Sequence, residues 1–191
     1  MFLRRARETP SRLAIESDSS QLWGVVHERD ELGSDLVPDY VTAVRDEAFY
    51  GWPYRYSGSH IDNGRNRREP AEKAVAPDYA LGSHTASPGL AYTAQTALTG
   101  RFHEGMFIGQ LGSRNRKQRS GYKVIFVPFS AGQPSGDPID VWTGFVKENG
   151  DAMGRPVGVA IDTRGALLVS DDVGNTIWRV TQSEPTRHSA P

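Results

Sequence analysis

Apolar residues alternate with small ones in short runs near the end of the chain, and each run gives way to turn-forming residues. Val157, Val159 and Ile161 alternate with Gly158 and Ala160, Leu167 to Val169 form a compact apolar run, and Ile177, Trp178 and Val180 close the set. A period of two predicts β-strands. The turns agree: Asp162-Thr163-Arg164-Gly165 reads as a hairpin with glycine at the left-handed position, and Asp172-Val173-Gly174-Asn175 as a second turn. A meander this short cannot bury both of its faces, so it has to stack on others like it.

The same pattern recurs upstream. Leu13-Ala14-Ile15-Glu16, a turn over Ser17 to Ser20, and Leu22-Trp23-Gly24-Val25-Val26 form one copy; Gly89-Leu90-Ala91-Tyr92 and Gly105-Met106-Phe107-Ile108-Gly109 begin another. Small sheets repeated around an axis are the mark of a β-propeller. Ala14, Ala91 and Ala160 lie further apart than a plain four-stranded blade requires, so insertions decorate each unit and the chain holds about three. Tyr40 to Val44, Tyr122 to Phe129 and Val141 to Val146 read as further strands, Pro128 marking an edge or a bulge. Glu31 to Asp39 reads as a turn-rich loop, residues 57–76 as a polar surface insertion, and Phe49 to Tyr54 as an aromatic corner packed over a blade edge. The expected organisation is a poorly ordered segment over 1–12, a partial all-β propeller over 13–182 and a tail over 183–191.

Composition narrows the chemistry. The 191 residues include no cysteine, which excludes disulfides and thiolate catalysis. A net charge of −1 gives no electrostatic case for nucleic acid or an acidic membrane surface. The basic clusters Arg65 to Arg68 and Arg114 to Arg119 read as solvated loops. No apolar run approaches the roughly 20 residues of a membrane span, and Met1 to Glu8 lacks the apolar core of a secretion signal. Asp171 and Asp172 are neighbours, so in a strand they point to opposite faces and form no two-carboxylate pair; one of them braces the turn at Gly174-Asn175.

Five stretches in register carry a resemblance. Leu22-Trp23-Gly24-Val25-Val26-His27-Glu28-Arg29-Asp30-Glu31-Leu32-Gly33, Tyr50-Gly51-Trp52-Pro53, His84-Thr85-Ala86, Gly109-Gln110-Leu111-Gly112-Ser113-Arg114-Asn115-Arg116 and Gly154-Arg155-Pro156-Val157-Gly158-Val159 together resemble the L-sorbosone dehydrogenase family. That family is a branch of the soluble sugar dehydrogenases that depend on pyrroloquinoline quinone (PQQ). The resemblance implies a six-bladed β-propeller, with PQQ and a calcium ion near its axis, that oxidises an aldose or related aldehyde. It covers the C-terminal half of such a propeller, so the expectation is a partial, about three-blade segment. The relatives' catalytic histidine falls on an earlier blade, which leaves the catalytic residue of this chain unknown and leads us to expect a truncated, weakly active or inactive form. Relatives are mostly periplasmic or secreted; with no export signal here, the compartment stays open. Two chains of about three blades each would close one ring, so a homodimer is a further expectation. The rival reading is a non-catalytic sugar- or partner-binding propeller.

The resemblance implies site residues. A PQQ-contacting arginine falls on Arg155, just before a strand nearest the axis; a guanidinium suits the three carboxylates of PQQ. Without the resemblance, Arg155 reads as an exposed loop residue. Main-chain carbonyls of Glu28 and Arg29 fall on the calcium donors, and carbonyl oxygens are ordinary calcium ligands; a salt-bridged loop is the other reading. Asn115 and Arg116 follow a strand and become cofactor or substrate contacts, although Leu111 and Arg114 stand where the family has histidine and tryptophan. His84 becomes a base or hydrogen-bond donor beside the cofactor, or else polar surface.

Overall fold

The computed structural model of the chain describes residues 11–62, 74–93, 96–98, 100–114 and 116–182. The expected disordered segment 1–12 therefore lies outside the described residues except for Ser11 and Arg12, and the tail 183–191 lies wholly outside them.

Three sheets follow one another along the chain. The first joins β1 (Arg12–Ile15), β2 (Leu22–Val26), β3 (Pro38–Ala43) and β6 (Tyr79–Ser83) in that order, all antiparallel. The hairpin β4 (Arg55–Tyr56) and β5 (His60–Ile61) stands apart inside the insertion between β3 and β6. The second sheet runs β7 (Gly89–Tyr92), β8 (Gly105–Gln110), β9 (Lys123–Ser130), with β10 (Gln133–Pro134) and β11 (Ile139–Trp142) sharing the outer side of β9. The third is β12 (Pro156–Ile161), β13 (Leu167–Asp171) and β14 (Thr176–Val180). β7 packs between β1 and β12, which makes these the strands nearest the axis. The chain is thus all-β and folds as about three blades of a β-propeller.

Period-two alternation builds the two seams between blades. On β8, Met106 and Ile108 face the first blade and join Trp23, Val25, Val41 and Phe129 in one core; Phe107 faces the third and joins Phe126, Val159, Leu167 and Val169 in the other. The middle sheet is buried on both faces, hence the unbroken apolar run Val124 to Val127 in β9. Each fully buried side chain of this size contributes about 1.5–3 kcal/mol. Gly89 and Gly109 lie opposite each other in register, and a Cβ on either would come within 2.1 and 2.5 Å of the Val157 carbonyl oxygen. The missing side chains let β12 approach the middle blade closely.

Some expectations need correcting. Pro128 lies inside β9, where β11 has left that strand and β10 has not begun to pair, so its missing N–H breaks no ladder. The strand expected over Val141 to Val146 ends at Trp142, because Gly144 adopts φ of 95° and only a bridge from Val146 to Ala152 follows. Asp39, expected in a loop, belongs to β3.

Candidate functional site

Strand directions put one set of loops at a single end of the arc: 27–37 after β2, 84–88 before β7, 111–122 after β8, and Arg155 just before β12. These loops are stitched to one another. Main-chain N–H groups of Leu111 and Gly112 donate to the carbonyls of Ala86 and Thr85 at 2.7 and 2.9 Å. Ser120 Oγ donates to the Ser83 carbonyl at 2.9 Å, and Ser83 Oγ to the Asp35 carbonyl at 2.6 Å. Four loops from three blades therefore form one continuous polar surface.

Arg155 is placed by both its main chain and its side chain. Its N–H donates to Asp171 Oδ1 at 2.8 Å, and the same carboxylate oxygen accepts from the N–H groups of Val173 and Gly174. Burial would raise the Asp171 pKa, but these donors and Trp178 outweigh it and hold the carboxyl below its ordinary range. Arg155 Nη2 donates to the Tyr122 hydroxyl at 3.0 Å, and that hydroxyl donates to the Ser113 carbonyl at 2.6 Å. Nη1 is buried and has no hydrogen-bond partner among the described residues. A buried guanidinium nitrogen left without an acceptor is costly unless an anion or other acceptor meets it.

The 27–37 loop is held from several sides. The Glu28 N–H donates to Asp39 Oδ1 at 3.1 Å, while Asp39 Oδ2 accepts from the Thr85 hydroxyl at 2.9 Å and the Ser87 N–H at 3.1 Å. Asp39 is 1% exposed, and burial pushes its pKa up despite nearby His27 and these donors. The Arg29 guanidinium pairs with buried Asp62 and reaches the Asp30 carbonyl. Its charge is spent inside the loop and the insertion, so the oxygens that Glu28 and Arg29 can offer a hard cation are their carbonyls and the Glu28 carboxylate, whose Oε2 accepts from the Arg29 N–H at 3.2 Å. No group of three or more His, Asp or Glu side chains placed to hold a metal occurs among the described residues.

The remaining expected residues divide. His84 is at this end, but its Nδ1 meets Asp30 and its Nε2 the Gly33 carbonyl. Arg116 is also here, its Nη2 donating to Asp35 at 3.1 Å. Asn115 lies outside the described residues. Sequence reasoning missed Asp39, Tyr122, Ser113 and Gln110, whose Oε1 is buried without a partner among the described residues. Tyr122 was hidden because it precedes β9 with φ of 56°, a conformation that no residue pattern announces.

Two concavities compete for attention. The larger, about 430 Å³, lies at the opposite end between Asp18, Tyr92, Thr96 and His103. The smaller, about 210 Å³, adjoins Tyr122 and is lined by Arg119, Lys123 and Phe145. Size favours the first; the unpaired buried donor of Arg155, which carries more chemical information, favours the mouth at the Tyr122 end.

A propeller arc whose loops gather cationic and carbonyl groups at one end defines the class. A profile of the TrAA12-like family matches residues 42–183, and the chain belongs to that family. It is 26% identical over 165 residues to an uncharacterized protein of Borreliella burgdorferi, a match spanning 85% of this chain and 44% of that protein. Its fold is similar to the calcium structure of a Trichoderma reesei carbohydrate-active enzyme of family AA12, with TM-score 0.73 and 17% identity over 91% of this chain and 52% of that one. It is similar also to the holo form of the PQQ domain of pyranose dehydrogenase from Coprinopsis cinerea, with TM-score 0.64 and 19% identity over 88% and 52% of the two chains. The chain spans about half the length of these proteins.

Proposed function

We propose that this chain forms part of the cofactor site of a PQQ-dependent sugar or aldehyde dehydrogenase of the L-sorbosone or aldose type. The observation that carries the reading is the buried, unpaired Nη1 of Arg155 at the mouth shared by three blades. The residues fit the group: a fixed guanidinium suits a carboxylate of PQQ, and carbonyls of the 27–37 loop suit calcium. When bound, the quinone supplies the two-electron acceptor for oxidation of an alcohol or aldehyde group.

The roles of this chain's residues follow. Arg155, oriented by Asp171 and Tyr122, binds the anionic cofactor. Arg116, with Asn115 beside it in sequence, extends the cationic surface toward cofactor or substrate. The carbonyls of Glu28 and Arg29 hold calcium. His84 supports the same mouth through the loop it touches. Turnover by this chain alone is proposed to be weak or absent, because the cage formed here comes from about three blades. Two chains closing one ring would complete it.

An absorbance titration with PQQ and calcium tests the reading. Saturable binding that needs calcium and weakens at least tenfold in Arg155→Ala is expected, the size of one lost hydrogen bond to a charged group. No binding by the wild type would leave a non-catalytic sugar- or partner-binding propeller as the better account. A dye-coupled assay with aldoses then measures turnover; robust rates from the isolated chain would overturn the proposed inactivity.

A further inference from the structure

The three strands nearest the axis repeat one pattern: Arg12-Leu13-Ala14-Ile15, Gly89-Leu90-Ala91-Tyr92 and Gly158-Val159-Ala160-Ile161. Side chains alternate across a strand, so each turns one face to the blade before it and one to the blade after it. On β7, Leu90 and Tyr92 pack in the seam with the first blade. Gly89 and Ala91 face the third blade, where a Cβ on Gly89 would come within 2.1 Å of the Val157 carbonyl oxygen. On β12, Val159 and Ile161 take the role of Leu90 and Tyr92. Each inner strand thus offers two bulky residues to its predecessor, and β7 offers a small-residue face to its successor.

The two open ends of the arc hold the two halves of one more such contact. β1 turns Leu13 and Ile15 away from the second blade, and they are 44% and 62% exposed, whereas Leu90 and Val159 are each 3% exposed. Further out on that face Val26 and Tyr40 are buried, so β1 is what the first blade leaves open. β12 turns Gly158 and exposed Ala160 away from the second blade. Leu168 of β13 lies opposite Ala160 as Phe107 lies opposite Ala91, and Ser170 Oγ accepts from the Gly158 N–H. Ile177 of β14, opposite Ser170 and 72% exposed, continues the face. Among the described residues, a Cβ on Gly158 would meet only the Ser170 side chain within 4 Å.

We propose that this face of the third blade is the docking surface for the first blade of a second copy of this chain, with Leu13 seated over Gly158 and Ile15 over Ala160 and Leu168. The chain's own seams name the occupant. The bulky pair on β1 matches the pairs that β7 and β12 already present to the blade before them, so the contact continues the β7–β12 interface by one more step of the arc. It is heterologous: one copy's first blade meets the other's third, and two such contacts close a ring around one axis. The docking surfaces rest on the repeat alone. That their meeting completes a cofactor cage rests on the reading under Proposed function.

Sedimentation equilibrium of the whole chain, from about 1 to about 100 μM, tests this. The wild type should reach twice the 21.0 kDa of one chain. Ile15→Glu and Ala160→Arg both alter exposed side chains, so each should keep the wild-type circular dichroism while weakening self-association about a hundredfold. In an equimolar mixture, the unaltered β1 of one variant meets the unaltered β12 of the other. The second seam then sets the introduced carboxylate against the introduced guanidinium, and the pair should return. A wild type that stays at 21.0 kDa, open polymers in place of a pair, or a mixture that stays monomeric overturns the docking. PQQ titration separates the two readings. A pair that binds no PQQ defeats the cofactor reading and leaves the docking standing; a monomer that binds PQQ with calcium does the reverse.

Discussion

The two ends of the propeller arc differ in how far their polar contacts reach. At the end away from Arg155, the turns after β1 and β12 are closed by their own carboxylates, and the second and third blades are linked by the Ala97 N–H and the Thr96 hydroxyl on the Gly165 carbonyl. Glu16 accepts from the N–H groups of Asp18 and Ser19, and Asp162 accepts from those of Arg164 and Ala166 while meeting Arg179 at 2.7 Å. At the Arg155 end the contacts reach across blades: Thr85 and Ser87 to Asp39, Ser120 to Ser83, Arg116 to Asp35. Buried polar atoms are left unpaired there, on Arg155 and Gln110, whereas toward the other end Trp23 Nε1, a neutral donor in the first seam, is the unpaired atom among the described residues. Local satisfaction needs nothing from outside the fold. A cross-blade network with a spare charged donor suits an anionic ligand, and on that ground we propose the Arg155 end rather than the larger concavity as the site.

The largest way to break this contrast is Asp171→Ala. It removes the acceptor for three main-chain N–H groups at the Arg155 end, and should cost about 3 kcal/mol in urea unfolding. PQQ binding should be lost with it. Arg155→Ala comes next and separates binding from folding: at least a tenfold loss of PQQ affinity, with stability changed by less than about 1 kcal/mol. At the opposite end, Glu16→Gln should lower stability by about 1 kcal/mol and leave PQQ affinity where it was. Should Glu16→Gln weaken the cofactor as much as Arg155→Ala does, the functional difference between the ends disappears.

Acid titration gives the smallest and most graded version of the same comparison. Burial acts to raise the Glu16 pKa, yet hydrogen bonds from Ser19 and Asp18 outweigh it, so its carboxyl, like that of Asp171, sits below the usual range. A depressed folded value means that both contribute stability above the unfolded carboxylate range, and that this is lost as pH falls through the lowered values. Asp39 is pushed up by burial and has the opposite sign: its contribution favours folding at acid pH and is lost as pH rises through its raised value. Unfolding free energies between about pH 2 and about pH 6 should therefore show a flatter acid limb in Glu16→Gln, and a steeper one when Asp39 is replaced by Asn.

Much of the fold was legible because it rests on period-two patterning and on turn residues. The three axis-proximal strands, Arg12–Ile15, Gly89–Tyr92 and Pro156–Ile161, lie on the runs expected over Leu13 to Glu16, Gly89 to Tyr92 and Val157 to Ile161, shifted by no more than a residue. Gly165 and Asn175 took the left-handed conformations that their turns demanded, with φ of 79° and 48°. Arg155 was singled out by the resemblance, and its own position in the sequence said only that it precedes a strand. Asp39 and Tyr122 were not, because their roles are long-range: one joins β3 to the approach to β7, the other joins the loop after β8 to the start of β12. Nor does a sequence show that both ring nitrogens of His84 are already committed, since Asp30 and Gly33 lie more than fifty positions away. Local pattern writes the strands, and the closing of loops from different blades writes the site.

Backbone amide shifts followed while PQQ is added in the presence of calcium test most directly whether three blades share one mouth. The account predicts that the signals of Glu28 to Gly33, Ser113 to Ser120 and Arg155 move together with a single apparent affinity, while those of the Glu16 and Asp162 turns stay still. Shifts confined to one of those segments, or centred on the turns at the opposite end, would contradict it.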